Sequence, residues 1–345
     1  MLVKYPKGAL FLFFDGRIKQ VNGEIDEAIK SFDDSISAQA EWKQFHYMCL
    51  WEQQWCYCYK CDWANAAKCA DILRKECRWS PATSCYLYAS FLYMQVLEGR
   101  KDMMDEIISL YRQVPNLRQR LAGKSIPIEK FCVKNAEKFL GNGNKLVLPI
   151  LEFVYMWHGF PVISKVPPLL EVYHKMIEKS LTDLHETSGE VQEVDDYLML
   201  TLLQGMCLKY LDRIDQAEQC FREIINREGE IKDKFHLPPY AAAELAFMMM
   251  EKGKKDDALE WLKAAKFNYH GYLTEVVLHF RLYAAYKKLN GSQQGEPESP
   301  TICKPLPVVI SRKMGHLSTS WTSNSKHDQL CVSLCVSIHH LEFAG

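Results

Sequence analysis

The stretch GRIKQVNGEIDEAIKSF, Gly16 to Phe32, decides how the rest of the chain is read. Apolar residues recur at helical spacing on both sides of Gly23, so it predicts two helices joined by a tight turn. Four positions carry the pattern: Gly16, then Gly23, Ala28 and Phe32 at offsets of 7, 12 and 16. A small residue on the first helix lets the second approach, and a turn residue follows. An alanine on the second helix then meets the first, and one turn later a large apolar side chain plugs the joint to the next pair.

The same register returns three times. Gly205 leads to Asp212, Ala217 and Phe221, Ala246 to Gly253, Ala258 and Leu262, and, more loosely, Gln54 to Cys61, Ala66 and Ala70. This is tetratricopeptide-repeat spacing. Repeated in a chain without alternating strand patterns, it predicts an all-α, tetratricopeptide-repeat-like α-solenoid, a right-handed superhelix of helix pairs. Residues 1–120 hold an N-terminal helical-repeat part, with repeats near 9–40, 45–77 and 81–114. Residues 121–190 form an irregular helical middle, with helices near Pro127–Leu140, Leu148–Ile163 and Pro168–Leu184. Residues 191–290 hold C-terminal repeats and a closing helix, Thr274 to Leu289. After Asn290 the composition turns rich in Gly, Ser and Pro, and residues 291–345 read as a disordered C-terminal tail.

Composition excludes some partners. The 345 residues are 48% hydrophobic and carry a net charge of -1, without the basic excess that nucleic acid requires. The most apolar window, Leu146 to Ile163, contains Pro149, Glu152 and His158, which fits a buried helix better than a transmembrane segment. The apolar run Ala9–Phe14 is short for a secretory leader and lacks a small-residue cleavage site. Thirteen cysteines, seven of them between Cys49 and Cys85 in helical stretches, fit small buried side chains of a reduced, cytoplasmic protein.

Several segments together resemble the C-terminal half of the tetratricopeptide repeat protein 39 family: YPKGALFLFFDGRI, EWKQFHYMCLWE, AGKSIPIEKF, VDDYLMLTLLQGMCLKYL and LHFRLYAA, in that order. The similarity runs from about Lys4 to Leu289. It implies a truncated form with an unrelated tail from Asn290 onward. It also implies a non-enzymatic binding protein, with relatives associated with lipid and sterol homeostasis and with partner turnover. No catalytic residue carries over from the family.

Sharper chemical readings are weak. Gly123-Lys124-Ser125 ends like a phosphate loop, but Arg118 stands where that loop needs its first glycine and Pro127 removes a helix N–H. These letters predict a turn and a helix start, with Pro127 and Glu129 in the first turn. Cys56, Cys58 and Cys61 have zinc-like spacing, yet no second ligand pair accompanies them, and packing is the better account. The scattered histidines fit no catalytic pattern, so neither a cofactor nor a metal is expected.

The first helices of such repeats line a concave groove. The register places Phe13 and Arg17, Trp51 and Trp55, Leu202 and Met206, and Ala243 and Phe247 on it, with Lys209 and Tyr210 as a polar rim. That face suits an apolar helix or extended segment of a protein partner better than a C-terminal carboxylate. Two other outcomes are open. The aromatic face can meet lipid, as in a peripheral membrane protein, or the helix around Leu148–Ile163 can fill the groove and make these residues core. A nucleotide-dependent enzyme is the remaining alternative. The apolar end near Leu10–Phe14 predicts self-association.

Overall fold

In a computed structural model, residues 4–121, 124–187 and 194–290 are described. They form a stack of antiparallel helices. The first pairs are α1 (Ala9–Asn22) with α2 (Ile25–Ser37), α3 (Lys43–Tyr59) with α4 (Trp63–Glu76), and α5 (Pro81–Leu97) with α6 (Met104–Leu117). A two-residue ladder, β1 (Arg120–Leu121) with β2 (Lys124–Ser125), precedes α7 (Pro127–Gly141). The middle continues with α8 (Pro149–Met156), α9 (Phe160–Ile163) and α10 (Pro167–Thr187). The pairs resume as α11 (Val194–Tyr210) with α12 (Ile214–Asn226) and α13 (Leu237–Glu251) with α14 (Lys255–Phe267), followed by α15 (Glu275–Asn290). The fold is the all-α, tetratricopeptide-repeat-like solenoid that the spacing predicts. The tail read as disordered lies outside the described residues.

The register has a visible cause in packing. A methyl group on Gly16 would sit 2.7 Å from the Phe32 ring, and one on Gly205 would sit 2.7 Å from the Phe221 ring. The second helix of these two pairs therefore rests directly on the glycine of the first. Ala28, Ala66, Ala217 and Ala258 are all buried in these joints. The offset-7 residue is left-handed in every register, with φ of 84° at Gly23, 57° at Cys61, 59° at Asp212 and 72° at Gly253. A left-handed residue ends one helix and reverses the chain within two or three positions. It costs a side-chain-bearing residue such as Asp212 about 1–2 kcal/mol.

The motif read as a turn and helix start is built that way. Arg120 pairs with Ser125 and Leu121 with Lys124, while Gly123 lies outside the described residues. Pro127 opens α7, and Glu129 sits in its first turn. The buried Glu129 carboxylate accepts from the Ser80 hydroxyl (2.7 Å) and the Gln119 backbone N–H (2.6 Å). Ser80, just ahead of α5, also meets the Thr83 hydroxyl at 2.8 Å, so this contact fastens α7 to the start of α5.

Gly16→Ala and Gly205→Ala should each destabilise the chain by about 1–3 kcal/mol through overpacking against a buried phenylalanine ring. Asp212→Gly should be neutral or stabilising by up to about 1 kcal/mol. Urea unfolding followed by circular dichroism measures both, and a tolerated Gly16→Ala would contradict the close-approach account.

Candidate functional site

The aromatic stripe expected to line a groove is largely covered by the chain itself. Helix α8 lies against it, and its aromatic side chains meet those of the first helices. Phe153 stacks on Trp55 at 5.4 Å between ring centroids, and Trp157, just past the end of α8, stacks on the same indole at 5.9 Å. Trp51 meets Trp157 edge to face at 5.6 Å. Phe153 also reaches Tyr86 and Phe131, and Tyr155 packs against Tyr240 on α13. The helix therefore joins the N-terminal repeats to the C-terminal ones.

This corrects the expected groove residues. Phe13 is buried among Phe32 and Phe45. Trp55, Leu202, Met206 and Ala243 are core, and Trp51 is half-buried beneath Trp157. Arg17 is no groove cation: it forms a buried ion pair with Glu52 and donates to Gln20, whose own amide donates to the Glu52 carbonyl. The physical reason is that the aromatic stripe finds its complement in α8 of the same chain.

A second buried ion cluster ties α8 down. Lys234 donates to both Glu152 carboxylate oxygens, at 2.6 and 2.7 Å, with His236 at 3.5 Å. Burial pushes the Glu152 carboxyl up, but Lys234 and His236 outweigh it and hold the carboxyl down at about 2. Burial lowers the His236 pKa, which favours the neutral ring there.

Three of the expected residues do come together at an open site. Beyond Trp157 a cleft of about 580 Å³ opens between α11, α13 and α15. Tyr210, Phe247, Met250 and Phe280 contribute its apolar surface, and Lys209, Glu244 and Arg281 its charged floor. Arg281 donates to Glu244 at 2.8 Å and lies over the Phe247 ring at 5.0 Å. Lys209 bridges Glu244 (3.8 Å) and the exposed Glu251 (3.0 Å). The Tyr155 hydroxyl donates to Glu244 at 3.2 Å, so α8 ends against this cluster. Burial pushes the Glu244 carboxyl up, while Arg281 and Lys209 pull it further down, leaving it below the ordinary carboxylate range.

The sequence reading missed Glu244, Arg281 and the Glu152–Lys234 pair. Its signal was present in lone charges inside apolar runs, such as Glu244 in AAAELAFMMM and Arg281 in LHFRLYAA. The cysteines scatter in role. Cys56 accepts from Gln20, the Cys58 carbonyl accepts from Tyr173 at 2.8 Å, and Cys61 sits at the left-handed turn. Burial pushes the Cys61 and Cys69 thiols up to about 12. Among the described residues, no group of three or more His, Cys, Asp or Glu is placed to hold a metal ion. No described helix is long and apolar enough to cross a membrane.

Comparison with known proteins agrees with this architecture. Residues 1–211 match the family model described as Iml2/Tetratricopeptide repeat protein 39. The chain is 35% identical over 283 residues to the tetratricopeptide repeat protein ttc-39B of Caenorhabditis elegans. That match takes in 81% of this chain and 48% of the relative, so the chain spans about half the relative's length.

The Glu152 shift fixes a pH dependence. A folded-state pKa of about 2 against an ordinary value of 4.5 adds stability that is complete above 4.5 and is lost as pH falls from there towards 2. The amount is on the order of 3 kcal/mol. Glu152→Gln should remove that part of the acid sensitivity, leaving the Glu244 part. It should also cost about 3–5 kcal/mol at neutral pH, because Lys234 loses its carboxylate. Denaturant titrations at pH 7 and pH 3 on both chains check this.

Proposed function

This chain belongs to the Iml2/tetratricopeptide repeat protein 39 family, and on that premise we propose that it is a non-enzymatic scaffold or adaptor. Its docking site is the cleft between α11, α13 and α15. The partner is a protein that lays an apolar helix or extended segment against Tyr210, Phe247, Met250 and Phe280. One observation carries the reading: where the α8 filling ends at Trp157, the concave face continues as an open cleft with apolar walls.

The charged floor supports orientation rather than affinity. Lys209 and Arg281 are already committed to Glu244, so a bound segment gains most by covering the apolar wall. Lining residues supply three cations, Lys209, Arg281 and Lys288, against two acids, Glu244 and Glu251. This balance favours a segment that carries an acidic side chain beside its apolar ones. The roles in lipid and sterol homeostasis and in partner turnover that the family resemblance implies would act through whatever docks there. A second contact, self-association through the outer face of α1, is supported by apolar side chains left uncovered there.

A photo-crosslinking amino acid at position 247, compared with one at the exposed Ile72 on α4, tests the cleft in cells. Adducts specific to position 247 that vanish with Met250→Lys are the expected result. The same adducts at both positions, or adducts indifferent to Met250→Lys, would overturn it.

A further inference from the structure

A second, smaller cavity of about 100 Å³ lies between α7, α8, the loop ahead of α13 and the segment ahead of α15. That volume suits about three waters, or one ion of roughly four or five heavy atoms. Its inner wall is polar and buried: Asn135, Lys234 and His236 are 6%, 5% and 7% exposed, and Glu152 stands beside them. The more exposed Lys134, Asp233 and Phe235 form its rim.

Three bases meet two acids there. Lys134 pairs with Asp233 at 2.7 Å, and Lys234 donates to both oxygens of Glu152. His236 has no acid to itself: its Nε2 lies 3.5 Å from the Glu152 oxygen that Lys234 already holds at 2.6 Å. The acids just outside the lining are spent elsewhere. Asp196 accepts from Lys138, Asp195 from the Lys232 backbone N–H, and Glu275 from the Gly271 backbone N–H. The Asn135 side chain has no hydrogen-bond partner among the described residues. Lys234 keeps a donor in reserve, because an ammonium carries three N–H groups and Glu152 takes two at most. Buried polar groups are ordinarily paired, so an unpaired amide beside an unbalanced base calls for a ligand.

We propose that this cavity binds one small carboxylate ion and takes up a proton on His236 as it does so. The ion accepts from the Asn135 amide and the Lys234 ammonium, and its charge balances the imidazolium. In the ion-free chain His236 favours its neutral form. Burial lowers its pKa most, Lys234 and Lys134 lower it further, and Glu152 is the one acid that opposes them. A bound anion reverses that balance. A single negative charge fits, because the lining holds one base more than it holds acids. A dianion would bring a charge with no partner into a buried site. The cavity is separate from the cleft between α11, α13 and α15, and the proposal does not rest on what docks there.

The test titrates the whole chain with sodium acetate, against sodium chloride at equal ionic strength. Neither anion titrates between pH 6 and pH 8, so any proton taken up belongs to the protein. Calorimetry in two buffers of different ionisation enthalpy should show saturable acetate binding with proton uptake. Between the His236 pKa values of the free and bound states, each pH unit upward should weaken binding about tenfold, because about one proton enters with each ion. His236→Gln keeps a hydrogen-bonding side chain but cannot gain charge, so it should leave only weak binding without proton uptake. Asn135→Asp puts a fixed acid into the cavity. It should abolish acetate binding and raise the melting temperature more at pH 6 than at pH 8, and it carries the test alone if His236→Gln does not fold. Sulfate should bind more weakly than acetate. No saturable acetate binding at pH 6 would overturn the proposal and leave a cavity that takes water only. Binding without proton uptake, binding that survives Asn135→Asp, or tighter binding of sulfate would overturn it as well.

Discussion

The stack of Phe153 and Trp157 around Trp55 is the contact on which the rest of the molecule depends. A solenoid of helix pairs has only neighbour contacts, so its two ends are ordinarily coupled through every pair between them. Here α8 touches both halves directly, with Trp55 on α3 and with Tyr240 and Glu244 on α13. Aromatic pairs of this kind are worth about 0.5–1.5 kcal/mol each beyond their buried area. Several such pairs on one short helix hold the N-terminal and C-terminal repeats together.

The buried charges follow from the same helix. Glu152 on α8 would be too costly to bury alone, and Lys234 ahead of α13 neutralises it. Glu244 faces the end of α8 and is neutralised by Arg281 and Lys209. These pairs add little net stability compared with apolar side chains of the same size. Their directional requirement is what they contribute: a slip of α8 by one residue would strand a charge in the core.

Legibility in the sequence divides along the range of the interactions. The helix pairs were readable because Gly16, Gly23, Ala28 and Phe32 act within 16 positions of one another, and each has a steric reason visible in its own side chain. The left-handed turns at Cys61 and Asp212 were placed by register even though neither is glycine. The site was less legible. A Trp51–Trp55 stripe reads the same whether its complement is another protein or α8, a hundred positions further on. Only Lys209, Tyr210 and Phe247 of the expected set reach the open cleft. Arg17 was misplaced because its partner, Glu52, belongs to another helix pair.

The break after α8 connects these two outcomes. A single helix over Leu148–Ile163 would have run on past Trp157 towards the cleft. Instead the chain turns at His158, with φ of 58°, and at Gly159, where a methyl group would lie 2.8 Å from the Tyr59 ring and 2.9 Å from Val154. Pro161 then sits in the first turn of α9, where its missing N–H costs nothing. The turn sends α9 away towards α1 and α10, and His158 and Pro161 become one wall of the cleft. Close approach at Gly159 therefore both completes the filling around Trp55 and ends it short of Phe247. The open cleft lies where α8 is too short to reach.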